Sequence, residues 1–368
     1  MVAAMMETGT PEAAIGERGP QILAVGRGLP EHYYSQEELM EAFLSVWGDE
    51  GDVRRRMTRL HGAVQVGGRH LALSVPEYLD LKTFGRANDA FIRVGTEVAE
   101  KAVSDALTQA GIHASEVDAI FFTTVTGLAT PTIDARLVNR MGFRPDVKRT
   151  PLFGLGCVGG AAGVARMTDY LLAYPDHCAL LISVELCSLT LQLKDLSIPN
   201  LISSGLFGDG AACVVAVGAN RESGENAPKV VGTQSCFFPD TERVMGWDID
   251  ENGFNVILSA GVPEIARDKI GPAVSALLEK HDLRVSDVTA WVCHPGGPKV
   301  LTAFEKSLDL PREAFELTWS SLNRIGNLSS ASVLHVLADS LDVRPREGYW
   351  VMLAMGPGFC AEVVLLEW

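Results

Sequence analysis

Three side chains of this chain are placed to do acyl chemistry, and each falls at a seam of an internal repeat. Cys157 stands among Gly154, Gly156, Gly159 and Gly160, directly before a helix-forming stretch. A helix start presents free N–H groups and partial positive charge, which favour a thiolate and can hold an oxyanion. His294 closes an apolar, strand-like run and is followed by the turn-rich PGGPK, which sets an imidazole at the lip of a sheet. Asn327 stands at the mouth of a second helix-forming stretch, where asparagine is a favoured cap and its amide can also reach outward. Together they suit chemistry through a thioester: the sulfur carries the acyl group, the histidine ion-pairs with it, and His294 and Asn327 donate to a developing enolate. Where loss of carbon dioxide makes the carbanion, no carboxylate base is needed. Such a site joins acyl units.

The repeat explains how residues so far apart meet. AVSDAL at 102–107 returns as AVSALL at 273–278, and SEVDAIFF at 115–122 returns as SDVTAWVC at 286–293, both 171 positions on. At a shift of 170, GCVGGAAGV at 156–164 overlays GNLSSASVL at 326–334, so that Cys157 falls on Asn327. Two copies related by a pseudo-twofold axis bring matching elements face to face, which makes Cys157 and Asn327 neighbours. Thr123 holds the position that His294 takes in the other copy.

Each half reads as strand, helix, strand, helix and further strands. In the first, these are Ile22–Val25, Gly95–Gly111, Ala119–Thr124, Val158–Tyr174, Ala179–Val184 and Ala211–Val217. In the second, they are Val230–Gln234, Pro263–Lys280, Ala290–His294, Leu328–Leu341, Trp350–Ala354 and Ala361–Leu366. Short continuous apolar strands alternating with helices imply sheets buried on both faces. An α/β fold of five layers, αβαβα, follows if the two helices aligned by the repeat pack between the sheets. Their many small residues, Gly159 to Gly163 and Ser329 to Ser332, fit that place. The divisions expected are a flexible tail over 1–20, a first half over 21–225 carrying the cysteine, and a second over 226–368 carrying His294 and Asn327.

Composition narrows the classes. The 368 residues are 47% hydrophobic, enough for two units with cores of their own. No apolar run approaches the ~20 residues of a membrane-crossing helix, and the N-terminus lacks a signal-peptide pattern, so a cytoplasmic protein is expected. Seven cysteines, several within apolar strand-like runs, read as reduced thiols. A net charge of −15 argues against nucleic acid as partner. No HExxH or paired CxxC spacing points to a metal.

Three patterns compete with the acyl reading. Gly154 to Gly159 satisfies G-x-G-x-x-G, with Glu185 farther on where a ribose-binding acid would be sought, but a cysteine in its middle crowds a pyrophosphate. The spacing from Cys157 to His294 and Asn327 is near that of papain-type proteases, whose local cysteine signature is missing. Arg54, Arg55, Arg56 and Arg59 are the densest basic cluster, either a solvated helix face or a seat for the phosphates of coenzyme A.

GLGCVGG around Cys157, SGLFGDGAA around Phe207, WVCHPGGPKVL around His294, RIGNLSSASVL around Asn327 and MGPGF at 355–359 resemble the chalcone-synthase-like type III polyketide synthases, in the right order from about Ile22 to the C-terminus. The resemblance implies a thiolase-like fold, a homodimer, and iterative decarboxylative condensation of malonyl-CoA onto an acyl-CoA starter, without acyl carrier protein or bound cofactor. It implies Cys157 as the acyl-accepting nucleophile, His294 and Asn327 as the decarboxylation pair, Phe207 as an aromatic gatekeeper, and Arg56 and Arg59 as CoA contacts; Ala63 stands at a third basic position. Thr126, Cys187, Thr190 and Ser329 fall where the family lines its cavity, and Gly356, Pro357 and Gly358 where a loop shapes cyclisation, with Ala354 replacing that loop's first glycine. Val256 replaces a second gatekeeping aromatic and Trp247 a small cavity residue, so the cavity differs. TGLATPTIDAR and SVELCSLTLQ look bacterial, which favours a fatty acyl-CoA starter and a pyrone, resorcinol or other phenolic product. The alternatives are a β-ketoacyl synthase III-like condensing enzyme, a chalcone- or tetrahydroxynaphthalene-type synthase with another starter, and a non-catalytic scaffold that binds acyl-CoA.

Overall fold

The computed structural model describes residues 15, 19–48, 51–221, 227–343 and 345–368. The tail expected over 1–20 lies outside these residues apart from Ile15, Gly19 and Pro20, and so do 222–226 beside the expected division of the halves.

The first half runs β1 (Gln21–Gly28), β2 (His32–Ser35), α1 (Gln36–Trp47), α2 (Gly51–Ala63), β3 (Gly68–Leu71), α3 (Val75–Tyr78), α4 (Phe84–Ala110), β4 (Ala119–Thr124), α5 (Ile133–Met141), β5 (Lys148–Phe153), α6 (Gly159–Ala173), β6 (Cys178–Leu186), α7 (Ile198–Leu206) and β7 (Asp209–Val217). The second runs β8 (Lys229–Phe237), β9 (Met245–Asp250), β10 (Gly253–Leu258), α8 (Val262–Glu279), β11 (Val288–Cys293), α9 (Pro298–Leu308), α10 (Glu316–Ile325), α11 (Ser332–Val343), β12 (Tyr349–Gly356) and β13 (Cys360–Glu367).

The strands join in the order β11-β12-β13-β8-β1-β7-β6-β4-β5. Outward from the β8/β1 seam, each half repeats one order: β1-β7-β6-β4 on one side, β8-β13-β12-β11 on the other. Register carries the repeat as well. Ala119 pairs with Ala179 in the parallel β4/β6 ladder and Ala290 with Trp350 in β11/β12, each partner 171 positions on. Every residue of β6 and β7 is buried, as strands covered on both faces must be.

Three apolar clusters give the five layers. In one, α4 packs on the outer face of the first half's strands through Phe91, Val98, Val103 and Leu180. In another, α8 and α9 cover the second half's strands through Ile270, Leu277, Phe304 and Val351. Between them, α6 and α11 share a core with the inner faces of both, including Val164, Leu181, Val333 and Met352. The small residues are what admit this sandwich: a Cβ on Gly160 would stand 2.3 Å from the Ser330 carbonyl oxygen.

The strands and helices of the repeat unit fall within a few residues of expectation, with one large exception. Helix α4 begins at Phe84 rather than Gly95, capped by the Thr83 side chain, which accepts the Arg86 N–H. Gly85, Asn88 and Gly95 weaken helix propensity there, and the contact of Phe84 with Phe254 across the fold offsets it. The insertion from β2 to α3 and the β9–β10 hairpin have no counterpart in the other copy. Both lie over the site.

Candidate active site

Cys157 lies in a 3-10 turn, Gly156–Val158, that leads into α6. An equivalent turn, Ser329–Ala331, leads into α11. The first residue of each has a left-handed backbone, φ +54 at Gly156 and +50 at Ser329. Matched in this way, Cys157 corresponds to Ser330, so the overlay of Cys157 on Asn327 is out of register by three residues, because the second copy carries extra residues between its strand and its helix. The neighbourhood holds nonetheless: the Asn327 side chain is near enough to the Cys157 sulfur to favour its thiolate, and Cys157 Sγ donates to Ser329 Oγ at 3.7 Å.

The main chain of Asn327 is clamped. Its N–H donates to the Leu206 carbonyl at 2.9 Å, and its carbonyl accepts the Gly208 N–H at 3.0 Å, so that Phe207 and Asn327 form a parallel bridge. Phe207 ends α7.

His294 follows β11, its N–H held by the Leu353 carbonyl at 2.8 Å. It is 3% exposed, and neither ring nitrogen has a partner among the described residues. Burial pushes its pKa down to about 3 and pushes the Cys157 thiol up to about 12. For the sulfur, the Ser329 and Asn327 hydrogen bonds act in the opposite sense and the charge of Glu185 adds to burial. Burial thus works against the expected thiolate–imidazolium pair, because each charge taken alone is costly this far from water.

Behind the sulfur stands Glu185, wholly buried at the end of β6. It accepts from Thr126 Oγ1 at 2.8 Å, from the Val125 N–H at 3.1 Å and from Ser330 Oγ. Burial pushes its pKa up to about 7 against these hydrogen bonds. Sequence reasoning weighed Glu185 only as a ribose ligand. Its signal was a carboxylate inside the apolar run LLISVEL, since a buried charge needs partners. The dinucleotide motif itself is closed off, because a Cβ on Gly156 would stand 2.6 Å from Pro357.

The remaining predicted residues divide into two groups. Thr126, Ser329 and the Gly356, Pro357, Gly358 loop lie on the sulfur side. Gly356 is so close that a Cβ there would meet the Leu155 carbonyl oxygen at 2.6 Å. Cys187, Thr190, Phe207, Trp247 and Val256 line a cavity of about 880 Å³. Trp247 and Val256 are register partners in the β9–β10 hairpin, and Gln192 ties the hairpin's turn to the main body through the Asn252 and Phe254 carbonyls. The rest of the wall was not foreseen: Leu39, Phe43 and Val46 of α1, Val75 to Leu81 around α3, and Phe84. These belong to the insertion that the repeat does not mark.

The basic cluster does not act as a unit. Arg54 pairs with Glu41 and Arg55 with Asp52, whereas Arg56 reaches, among the described residues, the Leu196 carbonyl at 3.5 Å and Arg59 is exposed. Among the described residues no group of three His, Cys, Asp or Glu side chains could hold a metal, and no helix is long and apolar enough to cross a membrane.

Residues 10–221 match the family described as chalcone and stilbene synthases, N-terminal domain, and residues 229–368 match its C-terminal domain. The chain is 50% identical over 355 residues to a 1,3,6,8-tetrahydroxynaphthalene synthase of Streptomyces peucetius subsp. caesius, covering 96% of this chain and 94% of the relative. It is 36% identical to a putative chalcone synthase of Bacillus subtilis (strain 168), covering 94% and 98%. The crystal structure of 1,3,6,8-tetrahydroxynaphthalene synthase from Streptomyces coelicolor A3(2), a bacterial type III polyketide synthase, superposes with a TM-score of 0.89 at 29% identity, covering 95% of this chain and 99% of that one.

Proposed function

The chain belongs to the chalcone and stilbene synthase family, as an acyltransferase of the type III polyketide synthase kind, and from that premise we propose that it extends a fatty acyl-CoA starter with malonyl-CoA and cyclises the product to a pyrone or phenolic ring. Cys157 takes the acyl group from the starter thioester, releasing CoA. A malonyl thioester then loses carbon dioxide, and the enolate left behind is held by hydrogen bonds from Asn327 and His294. Its carbon attacks the acyl-cysteine carbonyl, the C–S bond breaks, and the lengthened chain leaves on CoA with the thiol restored for the next round. Arg56 and Arg59 seat the CoA phosphates, and neither an acyl carrier protein nor a bound cofactor enters this scheme.

The observation that carries the fatty starter is the cavity. Its volume is near the upper end of pockets that enclose whole ligands. Leu39, Phe43, Val75, Leu79 and Leu81 give the cavity an apolar flank that could take an alkyl chain, alongside polar residues such as Lys82, Gln192 and Asn255. The kinship with tetrahydroxynaphthalene synthases favours a second reading, in which small units alone build an aromatic product in the same space. A homodimer is supported by β5, an edge strand exposed from Lys148 to Pro151 and again at Phe153, which leaves a row of backbone groups for a second copy.

The test is incubation of the purified protein with malonyl-CoA alone and with acyl-CoA starters of increasing length, products being read by mass. Products that carry the starter's alkyl chain support the proposal. Turnover of malonyl-CoA alone, undiminished and undiverted by long starters, selects the second reading.

A further inference from the structure

We propose that Ser332 is a positioning residue for Asn327, fixing which end of its carboxamide faces the Cys157 sulfur; this rests on reading Cys157 and Asn327 as partners in the reaction. A carboxamide has a donor end and an acceptor end of nearly equal shape, and only the donor end assists a thiolate or an enolate oxygen. The clamp to Leu206 and Gly208 fixes the main chain of Asn327 and leaves the side chain free to turn over.

What stops it lies at the start of α11. Asn327 Oδ1 accepts the Ser329 N–H at 2.8 Å, and Ser332 Oγ lies 3.5 Å from the same oxygen. Ser332 Oγ also accepts the Leu328 N–H at 2.6 Å. With an oxygen lone pair engaged in that way, its hydroxyl proton is available to Oδ1. Both holds draw the amide oxygen toward the helix and leave Nδ2 for the sulfur.

The arrangement is costly enough to need a reason. Ser329 keeps a left-handed backbone that side chains other than glycine seldom adopt, and such a conformation persists only where its surroundings over-determine it. The turn it makes returns its N–H to Oδ1 and its hydroxyl to the sulfur. Ser332 anchors the far side of that turn through Leu328. It is wholly buried in a helix otherwise rich in apolar residues, where an alanine would fill the space nearly as well. A buried hydroxyl there is explained by what it bonds.

Ser332→Ala and Ser332→Thr are compared with the parent in two assays. One separates kcat from KM for malonyl-CoA decarboxylation; the other follows iodoacetamide alkylation at the Cys157 peptide against pH, with no thioester present. The alanine variant is expected to lose about tenfold in kcat with KM within about twofold, and its alkylation midpoint is expected to rise because the thiolate has lost an oriented donor. Threonine, which keeps the hydroxyl, restores both. A folded alanine variant with the parent's kcat and midpoint overturns the assignment, as does a threonine variant that behaves like alanine. If alanine does not fold, Ser332→Cys is read in the same way, since its thiol can accept from Leu328 but donates poorly. The alkylation arm needs no turnover, so a parent that makes no polyketide removes the functional reading without deciding the position of the amide.

Discussion

The two helix starts that face each other across the pseudo-twofold axis share a backbone and almost nothing else. At the start of α6 the chain removes side chains: Gly156, Gly159 and Gly160 let Pro357, Thr123 and Ser330 pack against the backbone beside a lone thiol. At the start of α11 it adds hydroxyls and an amide, Asn327, Ser329, Ser330 and Ser332, each with a hydrogen-bonding partner. One copy presents a thiol on a close-packed, side-chain-poor turn; the other presents polar groups held by hydrogen bonds. The strand ends differ likewise, Thr123 in the first half and His294 in the second. A duplicated scaffold need not duplicate a site, because the symmetric part sets distances and the asymmetric part sets chemistry.

If the division of labour holds, its two sides can be broken separately. Cys157→Ala is expected to abolish polyketide formation while malonyl-CoA decarboxylation continues, measured as carbon dioxide release without condensed product. Asn327→Ala is expected to lower decarboxylation itself by roughly 10²–10³-fold, the usual cost of losing an oriented donor to an oxyanion. Full decarboxylation in that variant would place the donor role elsewhere. Trp247→Ala, which opens the hairpin side of the cavity, is expected to shift kcat/KM toward longer starters by about tenfold over the short ones, checked by competition between two acyl-CoAs. Glu185→Gln tests the carboxylate behind the sulfur. Removing its charge lowers the Cys157 alkylation midpoint. Stability follows from its raised pKa: the favourable contribution of Glu185 is complete below its ordinary value of about 4.5 and is lost as pH rises through about 7. A glutamine loses nothing over that range. The thermal midpoint of the variant should therefore gain on the parent by a few degrees between pH 4.5 and 7 and stay level above.

Much of this was legible in the sequence because the repeat is a physical constraint written twice. The 171-residue offset reappears in the structure, where Ala119 pairs with Ala179 in β4/β6 and Ala290 with Trp350 in β11/β12. Small residues after Cys157 and serines after Asn327 announced two helices packed at close range. Regions with no second copy were harder. The wall made by α1 and α3 has ordinary amphipathic composition, and only tertiary packing turns Leu39, Phe43 and Leu79 toward a cavity. The electrostatics of the site were legible only in part: residue types suggest an ion pair between Cys157 and His294, whereas the burial that opposes both charges is set by tertiary packing. Glu185 was visible as a residue and illegible in role, since its partners Thr126 and Ser330 come from two different halves.

The bridge between Phe207 and Asn327 has a consequence for how such a protein can change. The Phe207 ring in the cavity wall and the Asn327 amide near the sulfur hang from one pair of main-chain hydrogen bonds, Asn327 to Leu206 and Gly208 to Asn327. A substitution that moves this backbone therefore shifts both side chains together, whereas the hairpin and the α1–α3 insertion can reshape the cavity without touching that pair.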